Sequence, residues 1–210
     1  PSKWVLRWKG TDDGGAKAKA RIVILGFKDP HVLQLERSAP TPTKEAFTAT
    51  MQYLASTKAY GVSSDISNAF GQSMPTTREQ PLCATLPPGM REAGFDVDPR
   101  QLLIAQTEVY GLISGPSWLR QSLVADFENM GYIRNPYDKC ILTLPPRDGV
   151  ISDGVILVEV DDLLEGGSTE HRKNMEGFYG RWMCGERKKL VDRGEEGTLI
   201  SGIRVKQHKD

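Results

Sequence analysis

The sequence predicts an α+β fold built on an antiparallel sheet. Three observations carry this: short β-branched strand segments sit on either side of turn clusters, three longer segments show helical spacing, and no repeat or low-complexity tract interrupts the chain.

Trp4 to Trp8 and Ala20 to Phe27 are apolar and β-branched, and the cluster Thr11-Asp-Asp-Gly-Gly15 between them is turn chemistry, so the chain is expected to open with a β-ribbon. After the proline-broken Ala39 to Thr43, the stretch Lys44 to Lys58 places Phe47, Met51, Leu54 and Ala55 at helical spacing, with Thr43 as N-cap. Short strands are expected around Tyr60 to Ile66, Leu82 to Leu86 and Leu102 to Ala105. Leu119, Leu123 and Phe127 mark an amphipathic helix from Pro116 to Met130, which Gly131 closes. Cys140 to Leu144 and Val155 to Val160 flank the turn-rich Pro145 to Gly149 and should pair. A helix from Thr169 to Trp182 and a last strand from Thr198 to Val205 complete the expectation.

The chain has 210 residues, 39% of them apolar, enough for one substantial core or two joined subdomains. No apolar run approaches the roughly 18 residues of a membrane span, and Pro1 to Gly10 lacks the pattern of a signal peptide, so an intracellular setting without membrane is expected. Cys83, Cys140 and Cys184 stand far apart, which points away from a zinc site or a disulfide framework. Net charge is zero but unevenly spread: residues 1–60 hold ten Lys/Arg against five Asp/Glu, residues 61–170 seven against sixteen, residues 171–210 ten against six. Basic flanks around an acidic centre suit a protein whose ends meet phosphates while its middle gathers cations.

The sharpest local feature is Val155-Ile-Leu-Val-Glu-Val-Asp-Asp-Leu-Leu164, with Asp161 and Asp162 expected in the two-residue loop of a tight hairpin. Asp-Asp is also ordinary turn chemistry, and a divalent-metal site needs oxygen ligands from more than one element. Asp65, at the end of a strand-like segment, is the candidate partner.

Asp65-Ile-Ser-Asn-Ala-Phe70 resembles the first polymerase motif of copia-type (pseudovirus) LTR retrotransposon reverse transcriptases, and Glu159-Val-Asp-Asp162 resembles their YVDD box. Trp4-Val5, Lys19 to Val23 with Gly26-Phe27, Ala39-Pro40, Pro87 to Gly89, Tyr110 to Leu112 with Pro116, and Gly202-Ile203 follow in the family's order across almost the whole chain. The resemblance implies a right-hand-like fingers-and-palm architecture with an antiparallel palm sheet and the thumb largely missing, divided into fingers over residues 1–60 and palm over residues 61–210. It implies an RNA-directed DNA polymerase that adds dNTPs to a primer 3′-hydroxyl. Asp65, Asp161 and Asp162 would hold two Mg²⁺ (or Mn²⁺) ions for phosphoryl transfer. Lys19 and Arg21, two residues apart on one strand face, would grip the triphosphate. Phe70 would act as a steric gate against the 2′-hydroxyl, Ser114 occupies a nucleotide-contact position, and Glu159 and Val160 lie where the primer terminus is supported. The implied partners are an RNA template, a DNA primer, dNTPs and the remainder of a retrotransposon polyprotein with RNase H and integrase, within a cytoplasmic virus-like particle or the nucleus. Asp138 and Cys140 match an Asp-x-Cys pattern and are read as structural.

Four positions depart from the family. Glu159 stands for the tyrosine of the box and Ser114 for a glutamine, while Ile113 and Ser117 replace flanking basic residues. The family pattern also stops soon after Gly202-Ile203, so a fragment without thumb or RNase H is expected. A second reading therefore stays beside the first: a decayed or repurposed domain that keeps the fold and binds nucleic acid without synthesis.

Overall fold

The computed structural model describes residues 1–11, 14–147, 151–193, 196–200 and 202–208. In chain order these form β1 (Ser2–Gly10), β2 (Ala16–Ile24), a 3₁₀ turn (Gly26–Lys28), α1 (Lys44–Thr57), β3 (Val62–Asp65), α2 (Ala69–Gln72), β4 (Cys83–Thr85) and β5 (Leu102–Ile104). There follow α3 (Gly115–Asn129), β6 (Ile133–Arg134), β7 (Ile141–Leu144), β8 (Gly154–Glu159), β9 (Asp162–Gly167), α4 (Thr169–Arg181), β10 (Lys188–Lys189), a second 3₁₀ turn (Leu190–Arg193), β11 (Thr198–Ile200) and β12 (Ile203–Val205). Every strand pairing is antiparallel, so the chain is a mixed helix and sheet protein of the α+β kind. It divides into two compact units, residues 1–38 with 73–119 and residues 39–72 with 120–210.

In the first unit, β1 and β2 form a long ribbon. Strand alternation sets Trp4, Leu6 and Trp8 opposite Ile22, Ala20 and Ala18 on one face, and Arg7 and Lys9 opposite Lys19 and Lys17 on the other. The strand expected to run to Phe27 stops at Ile24, because the next donors turn elsewhere: Ile24 N–H bonds the Tyr110 carbonyl at 2.9 Å and Gly26 N–H the Gly111 carbonyl at 3.1 Å. Gly111 has φ +92° and lies against the Ile24 backbone, so glycine is required there twice over. Ile24, Ala84, Ala105 and Leu112 form the small core below. Beside it the Arg78 guanidinium bonds Asp29 and Glu108, each at 2.7 Å, with all three side chains nearly excluded from water.

The second unit is a six-stranded sheet in the order β10-β3-β9-β8-β7-β6. The expected pairing of the segments around Cys140 to Leu144 and Val155 to Val160 is present as β7 with β8; residues 148–150 of the turn between them lie outside the described residues. One sheet face sends Val155, Leu157 and Leu164 towards Phe47 and Leu54 of α1. Thr43 caps α1 by accepting from the Ala46 N–H at 3.1 Å, and Asp138 in turn accepts from the Thr43 N–H and hydroxyl and from the Cys140 N–H. Burial pushes the Asp138 pKa up, but these donors outweigh it and hold the carboxyl below the usual range. Asp138 and Cys140 thus fix the approach to α1.

The opposite face carries α4. Phe178 stacks on Phe127 of α3 at 4.7 Å and on Trp182 at 5.8 Å. Within this apolar layer, fully buried His171 sits with Nε2 2.7 Å from the Glu165 carboxylate and Nδ1 2.8 Å from the Tyr132 hydroxyl. The Tyr179 hydroxyl donates to Glu165 at 3.2 Å and meets the Ser64 hydroxyl at 3.3 Å. Burial and the Glu165 charge push both phenols far above their ordinary pKa. The segment expected as one strand from Thr198 to Val205 is a hairpin, β11 and β12, broken where Gly202 takes φ +76°.

Candidate metal and nucleotide site

The tip of the β8–β9 hairpin is built from an all-buried run, Gly154 to Val158, that anchors the strand and delivers polar residues at its end. The closing pair is Glu159 with Asp162, which makes Val160 and Asp161 the two loop residues, one position earlier than the expected Asp161-Asp162 loop. Register in the sheet decides this: Leu157 pairs with Leu164 and Val158 with Leu163, leaving Asp162 as the first residue of β9. Val160 has φ +55°, a left-handed conformation that a β-branched residue adopts only at a cost of about 1–2 kcal/mol. Positive φ at the first loop residue alone fits a II′-like turn.

Asp65 ends β3 directly opposite Asp162. Beyond that pair the ladder continues through the turn, since the Ile66 N–H donates to the Asp161 carbonyl at 2.7 Å. Asp65, Asp161 and Asp162 are therefore brought together from two strands and one turn, with Glu159 as a fourth carboxylate. Burial and crowding act together on Asp162. Desolvation by the surrounding chain, then the charges of Asp161, Asp65 and Glu159, raise its pKa from 3.8 to about 6, although the side chain keeps access to solvent. The Cys184 thiol beside Asp65 is likewise pushed up to about 11, by burial first and by the Asp65 charge second.

Residues that the motifs do not single out hold this tip. Gly185 donates its N–H to the Asp65 carbonyl at 2.8 Å, and a Cβ at Gly185 would stand 2.9 Å from the Asp65 carboxyl carbon, so only glycine leaves the carboxylate its place. Gln72 clasps the segment after Asp65. Its Nε2 donates to the carbonyls of Ser67 and Met183, and its Oε1 accepts from the Met183 N–H at 2.6 Å. No sequence signal marks Gly185, and Gln72 lies two residues beyond the Asp65–Phe70 motif. Phe70 itself lies half-buried in α2, the single helical turn that this clasp fixes. A polar cavity of about 250 Å³, lined by Ser64, Asp65, Asp162, Glu186, Lys188 and Thr198 among others, opens beside the carboxylates.

Among the described residues, no three His, Cys, Asp or Glu side chains form a ready-made metal cage. Mg²⁺ does not require one, since it keeps several waters and is commonly held by one or two carboxylates together with substrate phosphates. The donor set fits such an ion: hard oxygens only, from two neighbouring strands and a turn, with mutual repulsion that a cation relieves.

The remaining sequence candidates belong to the first unit. Lys19 and Arg21 share the basic face of the ribbon; Lys19 is exposed, while the Arg21 guanidinium stacks 4.7 Å above the Tyr110 ring. Ser114 is buried, donates its hydroxyl to Glu108 and accepts from Arg78 at 3.3 Å, so its hydrogen-bonding capacity is used inside the protein. Burial pushes the Glu108 pKa up, but its bonds from Arg78 and Ser114 prevail and hold it below the ordinary value. Comparison with known family models and with curated proteins finds no match for the chain.

Proposed function

We propose that the chain is the fingers-and-palm part of a copia-type reverse transcriptase and catalyses RNA-directed DNA synthesis by two-metal phosphoryl transfer. The observation that carries this reading is the cross-strand pairing of Asp65 with Asp162, with Asp161 in the strained turn between β8 and β9. Asp65 and Asp161, with Asp162 beside them, are the residues that would hold the ions. The bound ions supply charge neutralisation at the primer 3′-oxygen and the triphosphate. The protein's own work is positional. The β3–β9 ladder fixes two carboxylates face to face, the Gln72 clasp fixes α2 with Phe70 downstream of Asp65, and Gly185 keeps the Asp65 carboxylate unobstructed. Phe70 discriminates against ribonucleotides by a clash with the 2′-hydroxyl. Lys19 and Arg21 serve the triphosphate through charge-assisted hydrogen bonds. RNA template, DNA primer and dNTP are the partners in this reading, and the rest of a retrotransposon polyprotein, with its RNase H and integrase, supplies the other steps of transposition.

Two observations favour a second reading, in which the fold persists without synthesis. Glu159 adds a fourth carboxylate at the tip, paired with Asp162, and Ser114 spends its hydroxyl on Glu108. Primer extension on an RNA template with Mg²⁺ or Mn²⁺ decides between them. Extension that falls on the order of 10³-fold in Asp161→Asn supports the polymerase. Nucleic-acid binding without extension in any variant establishes the second reading.

A further inference from the structure

In the second unit, α1 and the chain after β11 line a half-open cavity of about 710 Å³. Its wall is apolar, with Met51 and Leu54 from α1 facing Ile203 and Val205 from β12. Its rim is basic: Lys58, Arg204, Lys206 and His208 line it, and no Asp or Glu is found among its described lining residues. In a chain with 27 Lys/Arg and 27 Asp/Glu, three Lys/Arg with no Asp or Glu among the described lining residues is a local excess of one sign. The rim is also anchored. Gln207, between Lys206 and His208, donates to the Ala59 carbonyl at 2.8 Å and accepts from the Gly61 N–H at 2.9 Å, which ties the end of the chain to the C-terminal end of α1. Lys58 takes φ +54° as the C-cap of that helix. Arg204 is braced by one guanidinium nitrogen on the Glu196 carbonyl, which leaves its other donors for a ligand.

We infer that this cavity binds an amphipathic organic acid, its apolar body against Met51, Leu54, Ile203 and Val205 and its acid group on the rim formed by Arg204 and Lys58. The volume lies in the range of small-molecule sites, about 300–1,000 Å³. An apolar wall with a few convergent polar groups is the composition such sites share. The sign of the rim selects the acid: a carboxylate gains charge-assisted hydrogen bonds there, whereas a neutral or cationic head group of the same length gains none or is repelled. The inference does not depend on polymerase activity.

The test is a titration of the full chain, below the micellar concentration, with decanoate, decanol and decyltrimethylammonium, read by calorimetry and by backbone amide NMR shifts. Decanoate is expected to saturate and to shift the amides of Lys58, Ile203 and Val205, binding about tenfold or more tighter than decanol. The double charge reversal Arg204→Glu with Lys58→Glu should lose that advantage, and Met51→Trp should abolish binding while the melting temperature holds. Equal affinity for decanoate and decanol, preference for the cation, or shifts confined to other residues would each overturn the inference. So would groove shifts that appear on concentrating the protein alone, which would identify a second copy as the occupant.

Discussion

Removing one charge from the hairpin tip should stabilise the metal-free protein. In Asp162→Asn the amide keeps the size of the carboxyl but cannot ionise. Asp162 titrates near 6 in the fold against 3.8 as a free group, and about two pH units at roughly 1.4 kcal/mol each sets an upper bound of about 3 kcal/mol. The side chain is open to solvent, which screens much of the repulsion, so a gain of about 1 kcal/mol is the expectation. For a chain of 210 residues this raises the melting temperature by about 2–4 °C. The sign follows from the raised acid pKa. The folded state holds the proton more tightly than the unfolded one, so wild type is relieved of the penalty at low pH and carries it in full above pH 6. Thermal or urea melts of both proteins in chelator should show the variant ahead at pH 7.5, the gap closing towards pH 4 and narrowing in high salt. Added Mg²⁺ should raise wild type and leave the variant nearly unmoved. A variant no more stable than wild type at pH 7.5, or equally favoured at pH 4, would refute the view that desolvation and mutual repulsion of charged Asp162 load this tip.

Gly185→Ala places a methyl group against the Asp65 carboxylate and should cost about 1–3 kcal/mol and remove the Mg²⁺-dependent rise in melting temperature; retention of that rise would show the carboxylate has room to move. Arg78→Met strands Asp29 and Glu108 in the interior and should cost about 3–5 kcal/mol at neutral pH by urea titration. Because the Glu108 pKa is held low, its stabilisation is present above the ordinary glutamate pKa and fades as pH falls through the lowered value, so this deficit should shrink in acid; a pH-independent deficit counts against the ion pair as its source. Phe70→Ala should leave dNTP incorporation measurable and raise rNTP incorporation by at least about tenfold in primer extension, and unchanged selectivity would remove Phe70 from the sugar gate.

Much of the second unit was legible because its signals are local. Thr43 with the Phe47, Met51 and Leu54 spacing marks α1 to within a residue, and the apolar runs of β7 and β8 mark their pairing. The position of the hairpin loop was not, because Asp-Asp is better turn chemistry than Val-Asp. Tertiary register overrode local preference and forced Val160 into positive φ. The end of β2 was missed for a similar reason: Gly26 bonds to Gly111, a partner 85 positions away that no local window contains. At the site, the carboxylates were readable as motif residues, but Gly185 and Gln72 act through backbone contacts and leave no pattern of their own. The internal commitment of Ser114 to Glu108 and Arg78 depends on a buried ion pair that sequence spacing does not display.

The buried His171–Glu165 contact also guards the alignment of the β8–β9 hairpin against slippage. Strand side chains alternate between faces, so sliding β9 by one residue would carry Glu165 from the α4 side to the α1 side, among Phe47, Leu54 and Leu157, with its charge unpartnered. The same slip would take Asp162 away from Asp65. An error too small to disturb the hydrogen-bond count of the ladder is thus converted into an expensive one at the far end of the hairpin. The alignment of the aspartates is checked by a histidine that never meets them.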